Sequence, residues 1–440
     1  MQRMYLQTDT QTIEDLRLFS KADTQGIYDI YNHSFTRGGQ SIMESMFRKP
    51  LSDRDAIIKR ISIISGFQKQ QAAFPFDGAT LDNVEKYISF DDNQDGGSKI
   101  SLSEKEIQNG IVAVINLFHT LMQYAESEGL KQVKELEEER QEVIALLTDR
   151  AFVPVFNEKK NARITYAAAT AYDVLIRINE KQKLLCLLKF IYHIDVYISV
   201  AQVAIKHRMV FPEVYPKGSS ILKVEGVYHP LLKNAVPNSL QMGPSCNMVF
   251  LTGANMAGKS TFLRSFSTAL YIAHMGFPIA ASAMAFSVMD GVYTTINLPD
   301  NLDIGASHFY AEVLRVKKMA QELSNGKSLF ILFDELFRGT NVKDALEGTL
   351  VVCNAFTNRK DSKFIISSHI TEAADELRKK ESAAFYFLPT VMKGTVPEYT
   401  YTLQEGVTND KHGMLIINNE GILDILKQGN KGGKSINKKV

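Results

Sequence analysis

From the start of the chain to about Pro216, apolar residues recur at three- and four-residue spacing and strand-like runs are scarce, which predicts a helical layer. Within it, Leu130 to Arg150 strings Lys, Glu and Arg over an apolar stripe of Val133, Leu136, Val143, Leu146 and Leu147, the pattern of one solvated amphipathic helix. Tyr166 to Arg208 has no proline or glycine and carries apolar residues along its whole length. It predicts one long helix or two closely joined ones, tens of ångströms in length at about 1.5 Å per residue. That suits either a bundle core or a lever between distant sites.

The pattern changes at FPEVYPKGSS, Phe211 to Ser220, where Pro, Gly and Ser concentrate and helical spacing gives way to strand-like alternation. Beyond it come short apolar runs at Met248 to Leu251, Leu329 to Phe333 and Phe364 to Ile366, each followed by a polar or glycine-bearing turn and separated by helical segments. Such alternation predicts α/β with a largely parallel, buried sheet. The expected architecture is α + α/β: a helical domain over 1–217, an α/β domain over 218–427 and a basic, flexible tail over 428–440.

Composition adds bounds. At 440 residues the chain has room for two large domains or three small ones. With 45% hydrophobic and 22% charged residues it belongs with ordinary globular proteins. Apolar stretches such as Val196 to Ile205 fall short of the ~20 residues that span a bilayer, so no membrane span is expected. The first residues, MQRMYLQTDT, have no signal-peptide character, and Cys186, Cys246 and Cys353 lack metal-ligand spacing, which together point to a reducing cytoplasm. A net charge of +1 gives no global pull toward nucleic acid; a DNA contact would need local basic surface.

The chemistry concentrates in the second half. LTGANMAGKST places Gly253, Gly258, Lys259 and Ser260 in Gly-x-x-x-x-Gly-Lys-Ser spacing, after strand-like MVFL and before a helical TFLRSFSTALYIA. Loop glycines let backbone N–H groups wrap a polyphosphate, and the following helix directs its positive end at the charge. Lys259 would reach the β- and γ-phosphates, Ser260 would hold magnesium, and Ala254, Asn255, Met256, Ala257 and Thr261 complete the phosphate-binding segment. In SLFILFDELFRGTN five apolar residues deliver Asp334 and Glu335 to a strand end, the edge at which such sheets bind ligands. Asp334 suits the metal's outer shell and Glu335 suits orienting or deprotonating the attacking water. FIISSHI carries His369 to another strand tip, where a γ-phosphate-sensing role competes with a structural one. In DNLDIGASHFYAEVLRV, Gly305 and Ser307 precede a helix running to about Leu323, and Ser307 reads on its own as a helix cap. The KGGKS of the tail lacks both the first glycine and a preceding strand, and is discounted as a second phosphate loop.

Taken in order, TGANMAGKST, DNLDIGASHFYAEV, ILFDELFRGTN and ISSHITEAADEL resemble the ATPase domain of MutS DNA mismatch-repair proteins. The resemblance extends to VYHPLL (Val227 to Leu232) and YTLQEGVTNDKHG (Tyr401 to Gly413), and more weakly to the start of the family's helical core at residues 31–66. It implies a P-loop NTPase of ABC/MutS type behind a core/lever-like helical domain, using ATP and Mg2+. It also implies a homodimer, or a MutS-like partner, in which Ser307 reaches the other subunit's γ-phosphate. His369 would be the switch histidine and Tyr401 would stack on adenine. The same resemblance implies DNA as a partner, a role in mismatch repair or related DNA processing, and ATP hydrolysis coupled to movement of the helices.

Several positions depart from the family pattern. Ala254 and Ala257 stand for the usual proline and glycine, and Phe337 for a glycine after the acidic pair. Room for N-terminal mismatch-reading and connector domains, for a full DNA clamp and for the usual C-terminal dimerising helices is not expected. FPEV matches the family's Phe-x-Glu letters by coincidence at the junction. These departures keep a second reading open: a nucleotide-dependent switch that binds a protein partner and does not itself bind mismatched DNA.

Overall fold

The computed structural model describes residues 5–21, 24–89, 102–296, 308–393, 396–408, 421–422 and 425–426. The first half is built from α1 (Thr10–Asp15), α2 (Ile27–Tyr31), α3 (Arg37–Arg48), α4 (Arg54–Gln70), α5 (Gly78–Ser89), α6 (Glu104–Ala125), α7 (Glu128–Lys131), α8 (Glu137–Leu147), α9 (Val153–Asn157), α10 (Tyr166–Asp173) and α11 (Lys181–His207). Their starts follow local capping chemistry. Thr36 and Asp53 accept from the N–H groups of Gly39 and Ala56, and Ser103 forms a capping box with Glu106.

Two helix expectations change in detail. Leu130 to Arg150 is not one amphipathic helix. It divides into α7, a 3₁₀ turn at Lys134–Leu136, α8 and a second 3₁₀ turn at Arg150–Phe152. Val133, Leu136, Val143 and Leu147 are all buried, so the stripe is a packing seam that survives the breaks. Tyr166 to Arg208 is two helices joined through a π-helical turn, Val174–Asn179. Among the described residues, α11 is the one helix long and apolar enough to cross a membrane, yet two thirds of its most apolar window is covered by protein. It packs on α3, α4 and α8 as a core helix. Its buried Asp195 accepts from Phe35 N at 3.0 Å, Thr36 N at 2.8 Å and Thr36 Oγ1 at 2.7 Å, fixing the start of α3 against it.

Strands follow from Glu213 onward: β1 (Glu213–Tyr215), β2 (Leu222–Val227), β3 (Asn238–Met242), β4 (Met248–Gly253), β5 (Ala283–Ser287), β6 (Gly291–Thr295), β7 (Leu329–Phe333), β8 (Lys363–Ser367), β9 (Ala383–Leu388), β10 (Thr390–Lys393), β11 (Val396–Tyr399) and β12 (Gln404–Glu405). The main sheet has the order β12-β9-β4-β8-β7-β6, parallel except for β12. A smaller sheet, β1-β5-β2-β3, mixes one parallel pair with two antiparallel ones. Interleaved helices are α12 (Lys259–His274), α13 (His308–Ser324), α14 (Val342–Thr357) and α15 (Thr371–Leu377).

The central strands are buried on both faces, and their period of two divides them between two cores. Val249, Leu251, Phe330, Leu332 and Ile365 join the core that includes α12 and the N-terminal helices. Met248, Phe250, Ile331, Phe333, Phe364 and Ile366 face the other way, against α13, α14 and α15. Parallel strands of matched length then end together, so Gly253, Phe333 and Ser367 lie at one edge of the sheet.

Two connections bind the helices to this sheet. The far end of α12 is gripped by α2, α3, α4 and the loop between the last two. Tyr271 Oη donates to Phe47 O at 2.6 Å, Leu51 N to His274 O at 3.0 Å, Arg60 Nη1 to Met275 O at 2.6 Å and Tyr31 Oη to Pro278 O at 2.7 Å. The segment 5–15 runs alongside β6, with Gln7 N donating to Asp290 O at 2.8 Å and Val292 N to Gln7 O at 3.0 Å. Asp15 accepts from Thr294 Oγ1 at 3.0 Å and Ile296 N at 2.8 Å, while Arg264 of α12 donates to Asp15 O at 2.6 Å. Asp9 caps α1 and pairs with Arg315 and Lys318 of α13.

Candidate functional site

The sheet edge carries the site. Between β4 and α12 the chain turns through Ala254 to Gly258, with Met256 at φ +67° and Gly258 at φ +98°. A left-handed turn of this kind at the start of the 16-residue α12 is the geometry in which loop N–H groups can face an anion. Lys259, 5% exposed, donates to the carbonyls of Gly253 at 2.8 Å and Ala254 at 3.0 Å. Burial pushes its ammonium pKa down, opposed by the charges of Asp334 and Glu335. An anion arriving at the loop would relieve that desolvation.

Beside it, Ser260 Oγ donates to Asp334 Oδ2 at 2.5 Å, and Ser367 Oγ from the tip of β8 donates to Asp334 Oδ1. This hydroxyl and carboxylate pair is a set of hard oxygen donors. It fits magnesium, which takes few protein ligands and completes its octahedron with phosphate and water. Among the described residues no cluster of three His, Cys, Asp or Glu offers a closed metal cage.

Glu335 lies one residue on, at φ +60°, with its N–H donating to Ser367 O and Oγ, both at 3.1 Å. Its Oε1 meets His369 Nε2 at 2.5 Å and its Oε2 meets Arg338 Nη1 at 3.2 Å. The hydrogen bond with His369 is the main cause that lowers the Glu335 pKa, partly offset by burial. The carboxylate is therefore ionised at neutral pH, as a proton acceptor must be.

A cavity of about 590 Å³ opens on the loop and extends away from it between β2, β3 and Tyr401. It is lined by Lys259, Ser260 and Glu335 and by the segment that carries Val227, His229, Leu232, Lys233, Asn234 and Val236. Tyr401, at φ +55°, rests on Gly258 so closely that a β-carbon there would fall 2.9 Å from the ring. Asn238 holds the Tyr401 segment from both sides, donating to Tyr401 O at 2.9 Å and accepting from Leu403 N at 2.6 Å. A cation-bearing phosphate-loop side and a mixed polar and apolar lining with one aromatic face, Tyr401, suit a phosphorylated ligand with a flat ring.

Lys259, Ser260, Asp334, Glu335, His369 and Tyr401 thus meet around one sheet edge. Asn255, Met256 and Thr261 line the cavity as well, while Ala257 is buried beneath the loop. Gly305 and Ser307 lie outside the described residues, as do the tail and residues 409–420. Sequence reasoning missed Ser367, Arg338 and Asn238. Ser367 sat within the quoted FIISSHI, at a strand end, but a serine there carries no spacing signal. Asn238 acts through segments 165 residues apart, which no local pattern reveals.

Comparison with known proteins gives one family. Residues 249–434 match the family model of MutS domain V. The chain is 25% identical over 299 residues to the DNA mismatch repair protein MutS of Fusobacterium nucleatum, covering 64% of this chain and 33% of that protein. It is 28% identical over 277 residues to the DNA mismatch repair protein MutS of Persephonella marina, covering 61% of this chain and 31% of that protein. The matched region is about a third of the length of each relative.

Proposed function

The chain belongs to the MutS family, and on that premise we propose that it is a magnesium-dependent ATPase of P-loop type that acts on DNA in mismatch repair or related processing. The observation that carries this reading is the convergence of Lys259, Ser260 and Glu335 on one cavity at the mouth of α12, with Asp334 bonded to Ser260 beside it. Phosphates would be held by the loop N–H groups and Lys259. Ser260 and Asp334 would hold magnesium, which supplies charge neutralisation of the phosphates. Glu335, kept ionised and oriented by His369, takes the proton of the attacking water, and the remaining work is positioning and charge stabilisation. Tyr401 closes over the ring end of the nucleotide. By the family's pattern Ser307 of a second subunit completes the site, which makes the working unit a dimer.

Support for coupling to the helices comes from α12. At 16 residues it spans about 24 Å. One end begins at Lys259 and Ser260, and the other is bonded to Phe47, Leu51 and Arg60. A shift at the phosphate end of a rigid helix is delivered to α3 and α4. The domain division at 217 and a cytoplasmic location belong to the same proposal. Glu335→Gln tests the chemistry: ATP binding is retained and steady turnover abolished, and wild-type turnover would remove Glu335 from its role.

The net charge of +1 motivates a second reading, a nucleotide switch for a protein partner. A shift assay with duplex, mismatched and branched DNA at low and moderate salt separates the two. Absence of binding at low salt, with and without ATP, defeats the DNA reading.

A further inference from the structure

The loop leaving β7 enters the left-handed backbone region twice within three residues, at Glu335 (φ +60°) and at Phe337 (φ +61°). A residue with a β-carbon is disfavoured there, and an aromatic one needs surrounding structure to hold it. At Phe337 that structure is a socket. The ring is 5% exposed and stands edge-on to Phe309, in the first turn of α13, at 5.6 Å between centroids. On its other side lies Gly348 of α14, where an added β-carbon would come within 3.0 Å of the ring. Two residues on, Gly339 is so close to the same turn of α13 that a β-carbon would lie 2.5 Å from Phe309 N. Gly339 N also donates to Glu312 of α13 at 3.4 Å.

We infer that Phe337 is a positioning residue for Glu335. Seated between Phe309 and Gly348, the ring fixes the turn that aims the Glu335 carboxylate at His369 and into the cavity beside Lys259. The inference rests on the reading of Glu335 proposed above. Its physical basis is leverage. With residue 337 locked by its side chain, the unfavourable torsion at 335 cannot relax by rotating the loop, and the first turn of α13 becomes part of the support for the carboxylate. His369 and Arg338 hold the tip of Glu335, and Phe337 holds its backbone.

The test uses the full chain with Phe337→Ala, Phe337→Leu, Gly348→Ala and Glu335→Gln, measuring kcat for ATP hydrolysis and affinity for a fluorescent ATP analogue. Circular dichroism checks folding. Phe337→Ala is expected to lower kcat by about ten- to a hundredfold, the scale of an ångström-level misplacement of a reacting group. Nucleotide affinity should stay within about threefold, because the group lost acts in the chemical step. Phe337→Leu, which refills the socket, should recover most of the rate. Gly348→Ala removes no atom, yet by pushing the ring should lower kcat in the same direction. Wild-type kcat in folded Phe337→Ala, alongside a dead Glu335→Gln, overturns the inference alone. Parallel loss of kcat and affinity overturns it too, since general loosening would do that. Wild-type turnover in Glu335→Gln overturns the reading of Glu335 and this inference with it. If Phe337→Ala does not fold, unchanged kcat in Gly348→Ala is the overturning result.

Discussion

Replacing Asp9 with alanine should release α13 from the segment 5–15. The Asp9 and Arg315 side chains are 13% and 8% exposed, and Lys318 adds a second cation at 2.7 Å. Removing one partner of a buried pair costs about 3–5 kcal/mol, because the other charge is left without compensation. Arg315 keeps Thr294 O at 2.7 Å and Thr295 Oγ1 at 3.1 Å, which moves the estimate toward the lower end. Loss of the α1 cap, in which Asp9 accepts from Thr12 N at 3.0 Å, adds about 1 kcal/mol. Together the expected loss is about 4 kcal/mol, felt locally before globally.

Amide hydrogen exchange reads such local opening directly. Protection should fall in residues 5–15, β6 and α13, and much less in α11. The double variant Asp9→Ala/Arg315→Met removes both charges and should recover a large part of the loss. Burial by itself would raise the Asp9 pKa, but Arg315, Lys318 and Thr12 pull the carboxyl well below the usual carboxylate range. With a depressed folded value, the pair's contribution is complete above the unfolded pKa of about 3.9 and is lost only as pH falls through the folded value. The difference between wild type and Asp9→Ala should therefore be constant from pH 5 to 8. Unchanged protection in α13, or a difference that vanishes between pH 7 and 5, refutes the reasoning.

Three further outcomes are expected. Gly258→Ala combines a φ of +98° with a β-carbon 2.9 Å from the Tyr401 ring, and nucleotide affinity should drop at least about tenfold; unchanged binding of a fluorescent ATP analogue would count against the loop geometry. His274 is fully buried and its pKa is pushed down to about 4 by burial, so between pH 6.5 and 4 the unfolded chain takes up a proton that the fold refuses. Stability then falls on acidification by about 2 kcal/mol at pH 5 from this group alone, and His274→Gln should show a shallower fall in denaturant midpoint between pH 7 and 5. Tyr31→Phe strips the donor from Pro278 O, 2.7 Å away in the core, and should cost about 1–2 kcal/mol in the same denaturation assay.

Patterns that lie within a few consecutive residues were legible in the sequence. The runs at Met248, Leu329 and Phe364 are strands of a parallel, doubly buried sheet, as their unbroken hydrophobicity suggests. Gly258, Lys259 and Ser260 stood out because a phosphate loop would demand fixed spacing, and Asp334 and Glu335 because an apolar strand precedes them; the structure brings these residues together at one sheet edge. What escaped depends on distant partners. The stripe from Val133 to Leu147 keeps helical spacing across its 3₁₀ breaks, so periodicity could not distinguish one helix from several short ones. Asp9, Thr12 and Asp15 read as ordinary polar residues, since Thr294 and Arg315, which give them meaning, lie about three hundred positions away. Phe337 was visible only as bulk where the family has glycine. Its socket is made by Phe309 and Gly348, on two helices that flank the loop in sequence.

The bridge of Gln7 to β6, with α1 packed against the same strand, bears on the order in which the protein can be completed. Thr12 and Thr294 are 282 residues apart, so at roughly 5–20 residues per second the segment waits on the order of tens of seconds after synthesis for its partner to exist. Until then the Gln7 N–H and C=O are without their β6 partners, and afterwards the same segment covers what would be the open edge of the main sheet. A shortened chain expressed without the first fifteen residues therefore inherits a bare β6 and a buried Arg315 without its carboxylate. Supplying the segment in trans as a peptide, during refolding, is the direct way to give such a fragment back its edge.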